Sequence, residues 1–453
     1  MMDKQRSPRP GLSLVHAHAA AIDIGATMHV AAVPPDRDLE PVRTFGTFTA
    51  DLHRMADWLA ACAIETIARE STSVYWIPAF EILDARGFDV QLVNARDAKH
   101  VPGRKSDVSD CQWLQRLHSY GLLRASFCPK GEIACLRSYL RQRERLLEYA
   151  ASHIQYMQKA LMQMNLQLHH VIADITGATG LRILRAIVAG ERDPQVLATF
   201  RDHRCHASAE TICQALTGHW REDHVFALTQ ALELYDTYRA KVDACDVCIE
   251  AVLERLRAVT PAPAEPLPAA RQPTRHVNEL AFDVRTALHG LLGVDLTQIH
   301  GIGSSLALKL VAECGTDLVA WPSAKHFTSW LCLAPSNKVS GGKLLSAGTR
   351  HSNSRAAAAL RMAAVAVGRT ETALGAFYRR LSARVGKAKA ITATARKLAV
   401  LFYNTLRHGL DYSDPGASYY EERYRKRVLT NLKRRAKSLG YVLQAAPPET
   451  AVS

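Results

Sequence analysis

Four carboxylates in this chain have the types and spacing of a catalytic set. They are Asp23 in Ala20-Ala-Ile-Asp-Ile-Gly25, Glu70 in Ile67-Ala-Arg-Glu-Ser-Thr72, and the pair Asp107 and Asp110 in Arg104-Lys-Ser-Asp-Val-Ser-Asp110. The first two stand in or at the end of short apolar runs that read as strands. The last two are three apart at the start of a helical stretch, so they share a face. Carboxylates drawn from strand ends and a helix supply the all-oxygen ligands that hard divalent ions such as Mg²⁺ take, often shared with substrate phosphates. In a basic chain, that chemistry points to a nuclease-type site acting on nucleic acid.

The charge supports the same partner. The 453 residues carry a formal net charge of +14, with 48% hydrophobic and 22% charged residues. That composition provides a core, the length implies two or three domains, and the excess of cations favours a polyanion. No apolar run reaches transmembrane length, and the stretch from Val15 to Pro34 is broken by His16, His18 and Asp23. A soluble, cytoplasmic chain with nucleic acid rather than membrane as partner is therefore expected. Ten cysteines show no framework spacing. Cys245-Asp-Val-Cys248 has the spacing of metal ligands but no second pair, and lies within an amphipathic helical stretch, where reduced helix cysteines are the simpler reading.

The elements that must position the carboxylates can be read next. Residues 1–17 are expected to be disordered. Strands are expected at Ala20 to Ile24, Met28 to Val33 and Val42 to Phe48, then a helix capped by Asp51 and running to about Ala61. A strand at Thr66 to Arg69, a helix from about Trp76 to Arg86, a strand at Asp89 to Asn94 and a helix beginning near Ser106 follow. A three-strand meander followed by alternating helices and strands is the order of the ribonuclease-H-like fold, where the first carboxylate sits mid-sheet on the first strand, as Asp23 does here. A carboxylate between Ile22 and Ile24 on a central strand is costly to bury without a metal or a cation. Two points stay open: Asp107 also suits a helix N-cap, and Glu65 competes with Glu70.

From Ile133 to Leu168 the chain carries a heptad. Leu140, Leu147, Ile154, Leu161 and Leu168 form one seam; Leu136, Ala150, Met157 and Met164 form the other, broken once by Arg143. This predicts a long coiled-coil-like helix, either packed within its own subunit or serving dimerisation, with an antiparallel return through Arg257. Five prolines between Pro261 and Pro273 mark a linker. The expected layout is a disordered N-terminus to 17, an α/β domain over 18–130, a helical coiled-coil arm over 131–257, a linker over 258–277 and a mostly helical C-terminal domain over 278–445.

In that last domain, Gln298-Ile-His-Gly-Ile-Gly-Ser304 runs into a helix expected from Ser305 to Glu313. The pattern resembles a helix-hairpin-helix, in which Gly301 and Gly303 open backbone N–H groups to a phosphate; a tight packing turn explains it equally. Further on, Arg423-Tyr-Arg-Lys-Arg427 and Lys433-Arg-Arg-Ala-Lys437, interleaved with Tyr419, Tyr420 and Tyr424, suit phosphate contacts and base stacking.

With these pieces placed, the sequence resembles the transposases of insertion-sequence (IS) 110-type elements, the DEDD transposases that act as bridge-RNA-guided serine recombinases. The resemblance runs from about Ala20 to Leu443. Ile22-Asp-Ile-Gly25, Glu70-Ser-Thr-Ser-Val-Tyr-Trp76 and Lys105-Ser-Asp-Val-Ser-Asp110 match the Holliday-junction-resolvase-like (RuvC-like) part. Ile299-His-Gly-Ile-Gly303, Leu333-Ala-Pro335, Val339-Ser-Gly-Gly342 and the Arg-rich stretch after Gly348 match the C-terminal transposase part. Two places depart from the family pattern: Ser73, where Gly is common, and the segment with His351 and Asn353.

The resemblance implies that Asp23, Glu70, Asp107 and Asp110 bind Mg²⁺ (or Mn²⁺) and that Ser340 is the nucleophile. On residues alone Ser340 is a serine in a Gly-rich turn, with Ser304, Ser305 and Ser336 as rivals. Lys105, Gly301, Gly303, Arg350, Arg355, Arg423, Arg425, Arg427, Lys433, Arg434 and Arg435 are the candidate contacts to nucleic acid. The implied protein excises and inserts its own element, in the bacterial cytoplasm at the nucleoid, on donor and target DNA chosen by a bridge RNA. It would work as a homo-oligomer, a dimer or tetramer, because in the family the serine and the carboxylates come from different subunits. Two alternatives remain: a junction-resolvase-like nuclease using only the carboxylates, and a non-enzymatic RNA-binding scaffold.

Overall fold

The computed structural model describes residues 13–70, 74–93, 107–271 and 278–444. The chain divides into two compact units, Met1–Cys128 and Pro129–Ser453.

The first unit is built on a mixed sheet. Its elements are β1 (Ala19–Ile24), β2 (Met28–Ala32), β3 (Val42–Gly46), α1 (Thr49–Ala61), β4 (Thr66–Glu70), α2 (Trp76–Ala85), β5 (Asp89–Val93), α3 (Asp107–Ser119) and β6 (Ala125–Ser126). The strand order is β3-β2-β1-β4-β5-β6. β1 pairs antiparallel with β2 and parallel with β4, and β4 pairs parallel with β5. The first five strands and the helices between them fall where the sequence pattern puts them. Only the two-residue β6 and the cap of α1 escape that pattern. Phe48, not Asp51, is the N-cap of α1, and the Asp51 carboxylate reaches back to accept the Phe48 N–H at 3.2 Å. Ordered chain also begins earlier than expected, since the N–H groups of Val15 and His16 donate to Ser119 O.

Alternation along β1 assigns its two faces. Ala20, Ile22 and Ile24 pack with Leu52, Met55 and Leu59 of α1 and Ala79 and Leu83 of α2. Ala21 faces the other way, with Val30, Ala68 and Val93, against Cys111 and Leu114 of α3. The small residues Ala19 and Ala21 let α3 come close: Cys111 Sγ reaches Ala21 O at 3.3 Å, and Gln115 Nε2 donates to Ala19 O at 3.1 Å. Each fully buried Leu or Ile in these layers contributes about 1.5–3 kcal/mol, which fixes the strand register.

The second unit opens with α4 (Gly131–Gln163), followed by the short α5 (Leu168–Val171), α6 (Ala178–Val188), α7 (Pro194–Thr199) and α8 (Ala209–Leu216), and returns through α9 (Glu222–Ala258). Contacts from Glu132 to Arg255 and from Tyr149 to Tyr238 show that α4 and α9 run antiparallel. The second heptad seam is consumed by this pairing: Leu136, Ala150 and Met157 are buried. The long helix thus packs within its own subunit, and α5–α8 close over its far end around Leu161, Leu168, Ile183 and Leu228.

Beyond residue 278 come α10 (Val284–Leu292), a 3₁₀ turn (Leu296–Gln298), α11 (Ser304–Cys314), α12 (Ala324–Trp330), β7 (Lys338–Ser340), β8 (Lys343–Ser346), α13 (Arg355–Val367), α14 (Ala373–Val385), α15 (Lys387–His408) and α16 (Gly416–Ser438). Phe327, Phe402 and Tyr403 anchor this helical part, with the Tyr403 hydroxyl donating to Trp321 O at 2.7 Å. No described helix is long and apolar enough to cross a membrane.

Candidate functional site

The β1–β4 register brings the first two carboxylates together. Ala21 stands opposite Ala68 and Ile22 opposite Arg69 in this parallel pair. One further step along the same register sets Asp23 beside Glu70, on neighbouring strands about 4.8 Å apart. Both alternate onto the face of Ala21 and Ala68, which is the face that α3 covers.

On α3, Asp107 precedes the inward-facing Cys111 by one turn, and Asp110 likewise precedes Leu114. The helix therefore begins on the sheet face that carries Asp23 and Glu70. Cys111 reports how near this is. Burial pushes its thiol up to about 12, with the Asp23 backbone lowering and the Asp23 carboxylate raising it. A helix N-terminus also holds negative charge favourably.

The donor chemistry, carboxylate oxygen throughout, fits Mg²⁺ or Mn²⁺. Among the described residues no three His, Cys, Asp or Glu side chains lie close enough together to hold one ion. The Asp107 side chain and Lys105 lie outside the described residues. On the opposite face of β4, Arg69 is wholly buried between Trp76 (5.2 Å) and Phe80 (5.1 Å), and burial lowers its pKa to about 9. The strand end thus carries Glu70 on one face and a buried guanidinium on the other.

Ser340 belongs to the second unit, where it ends β7. Gly341 and Gly342 have φ of 54° and 74°, the left-handed pair of a two-residue hairpin turn, which explains why glycines stand there. The sequence shows a flexible turn; the structure is a hairpin with Ser340 opposite Lys343. All residues of both strands are exposed. Residues opposite each other in an antiparallel pair share a face, so Lys343 is the cation nearest in register to the Ser340 hydroxyl. Hairpin pairing is the signal that finds it, in the flanking pattern Lys338-Val-Ser-Gly-Gly-Lys343.

The other sequence candidates separate. Arg350 donates to Ser329 O at 2.8 Å, and Arg355 pairs with Glu144 at 2.7 Å, so each spends part of its guanidinium inside the protein. Gly301 has φ of 90°, and a Cβ there would meet Val367 Cγ2 at 2.3 Å, so packing alone demands glycine. Gly303 caps α11 without a side-chain hydrogen bond. The cavity beside it is lined by Ser304 and Ser305 but also by Glu279 and Asp283, a charge unfavourable to phosphate. Arg423, Arg425, Arg427, Lys433, Arg434 and Arg435 all lie on α16, which has no buried residue. Cys245 and Cys248 are free thiols on α9.

A central β1 carboxylate beside a second on β4, covered by a helix bearing two more, is the arrangement of a ribonuclease-H-like DEDD domain. Comparison with known families agrees. Residues 20–166 match the DEDD transposase family of IS110 type, and residues 295–379 match the transposase family IS116/IS110/IS902. Both parts of the chain lead to one family, and the chain belongs to the IS110-family transposases. No curated protein matches it. It is thus a transposase of an insertion sequence, a DNA-cutting and DNA-rejoining enzyme of a family that typically uses a divalent metal.

Proposed function

We propose that this transposase is a serine recombinase guided by an RNA of its own element. Ser340 Oγ attacks a DNA phosphodiester, forming a phosphoserine as a P–O bond of the strand breaks. A DNA hydroxyl then attacks the phosphoserine, rejoining strands and restoring the serine. Asp23, Glu70, Asp107 and Asp110 would hold Mg²⁺ or Mn²⁺, and when bound the ion offsets charge on the phosphoryl oxygens. Lys343, beside Ser340 across the hairpin, supplies a further positive charge where the phosphate enters.

The observation that carries this reading is the juxtaposition of Asp23 and Glu70 at the end of the β1–β4 pair, on the face covered by α3. Ser340 stands on an exposed hairpin of the other unit, so in this reading assembly is part of the chemistry, and a homo-oligomer, a dimer or tetramer, is the working form. Base pairing by a bridge RNA would choose donor and target DNA, leaving the protein to grip backbones, which suits broad positive charge.

The test is adduct trapping on element-end DNA with the element's flanking RNA. Wild type should yield a covalent protein–DNA adduct, Ser340→Ala none, and Asp23→Asn at least a hundredfold less, the scale of losing a principal charge-stabilising group. If Ser340→Ala still cuts while Asp23→Asn does not, the enzyme is a carboxylate-only nuclease of the junction-resolvase kind. Normal recombination by both variants would leave the chain an RNA-binding scaffold.

A further inference from the structure

The junction of α14, α15 and α16 gathers cations that the chain itself does not neutralise. Arg380 of α14 lays its guanidinium 3.6 Å from the centre of the Tyr424 ring on α16, and Arg427 lies 5.1 Å from the same centre. Lys397 of α15 sets its ammonium 4.7 Å from the Phe377 ring, which in turn meets Tyr420 edge-on at 6.2 Å. Much of the Lys397 side chain is in solvent, but its pKa is lowered, first by burial of its end and then by Arg423 and Arg427. Tyr420 feels Arg380, Arg427 and Arg384 together.

Five cations from three helices therefore act on one small region. Among the described residues only Arg380 has a carboxylate in ion-pair range, Glu421 at 3.4 Å, and its buried Nε has no hydrogen-bond partner.

An ordinary solvated face differs from this in two ways. On such a face cations spread apart, whereas here they are pinned on rings that fix their directions. An exposed helix is also normally held by an apolar stripe, yet α16 has no buried residue, and its attachment to α14 runs through these aromatic and cationic contacts. Bringing three like-charged surfaces together raises the local potential unless a polyanion lies between them.

We infer that the α14–α15–α16 junction is a phosphate-backbone grip, in which Arg380, Lys397, Arg423 and Arg427 hold successive phosphates of a nucleic-acid strand and the Tyr420 and Tyr424 rings hold the cations in place. The inference rests on the proposed function only in taking nucleic acid as the substrate. The backbone of donor or target DNA and that of the guide RNA offer the same chemistry.

The experiment is titration of the full chain, without divalent metal, against a DNA duplex and an RNA duplex of random sequence over a range of salt. The variant Lys397→Gln/Arg427→Gln should give a plot of log affinity against log salt shallower by about two, close to one for each phosphate that is no longer neutralised. Arg427→Lys, which keeps the charge, should retain the wild-type slope. A change with one polymer only identifies whose backbone is held, and a change with both shows a grip shared by DNA and RNA. An unchanged slope with both polymers overturns the proposal, as does weaker binding at constant slope, which reports a structural role alone. Should the double variant melt early, Arg427→Gln on the unburied α16 gives the same reading, with a slope change of about one. Binding without metal is independent of Ser340, so a lost slope effect and a failed adduct test fail separately.

Discussion

At the scale of single residues, His118 has the most definite consequence. It is 1% exposed on α3, shares a 2.9 Å hydrogen bond with Thr66 Oγ1 on β4 and stacks on His16 at 5.1 Å. Burial first, and then the His16 charge, lower its pKa to about 4, with Asp89 opposing. The folded value thus lies below the unfolded one near 6.5, and the unfolded chain binds the proton more readily. Its contribution is therefore complete above about pH 6.5 and is lost as pH falls towards 4. At about 1.4 kcal/mol per unit, the loss is at most about 3 kcal/mol. Urea unfolding at about pH 7 and pH 4.5 should show this drop in wild type and a smaller one in His118→Gln; equal drops would refute the assignment. Neither His118 nor Arg69 shows its role in the sequence. A histidine near the end of a helix and an arginine on a strand look like surface residues until the sheet and α2 are packed around them.

Among the elements, the α4–α9 pair is tied by one buried polar contact. Arg143, the single break in the heptad seam, makes a buried two-point ion pair with Asp246 of α9. It also donates to the carbonyls of Asn278 and Glu279, at 3.2 and 3.1 Å, while Asp246 accepts the Ala281 N–H at 3.1 Å. The contact therefore fastens the start of the C-terminal helical part to both long helices. Arg143→Leu strands the Asp246 carboxylate and should cost about 3–5 kcal/mol, read from the urea midpoint of the second unit's transition. Arg143→Leu/Asp246→Leu should recover much of this but not all, because the partners at 278–281 stay unsatisfied. A double variant no better than the single one would show the pair itself is unimportant. The seam and the antiparallel return were legible because apolar periodicity encodes a helix face. The partner of Arg143 was not, because its carboxylate lies 103 residues away and no local pattern records it. The β7–β8 hairpin was missed for the opposite reason. Its strands are three and four residues long and wholly exposed, so they carry no alternation, and only the Gly341-Gly342 pair marks the turn.

For the whole molecule, the division into two units separates the two halves of the proposed chemistry. Every residue of the two sheet-face cores, from Ala20 to Leu114 with Leu123 packed against them, belongs to the first unit. This half was largely legible, because alternating apolar strands, punctuated by helices, specify both register and face. The place of the carboxylates followed from that register: once β1 lies beside β4, Asp23 and Glu70 must share a face. The second unit was legible only in outline, since its helices settle by pairings remote in sequence, and its basic residues read alike whether solvated or gathered as at Arg380 and Lys397. Because no apolar side chain of the first unit's cores is borrowed from beyond Cys128, residues 1–128 expressed alone should unfold in one cooperative transition. Adding about 10 mM Mg²⁺ should raise its melting temperature, since an ion that binds only the folded state stabilises by mass action. Asp23→Asn should abolish that rise while leaving the metal-free transition intact or slightly higher, because it also removes a like charge beside Glu70. A fragment that melts without cooperativity would show that the first unit needs the second to fold. A cooperative fragment that gains nothing from Mg²⁺ would place the metal-holding set, or its completion, outside residues 1–128.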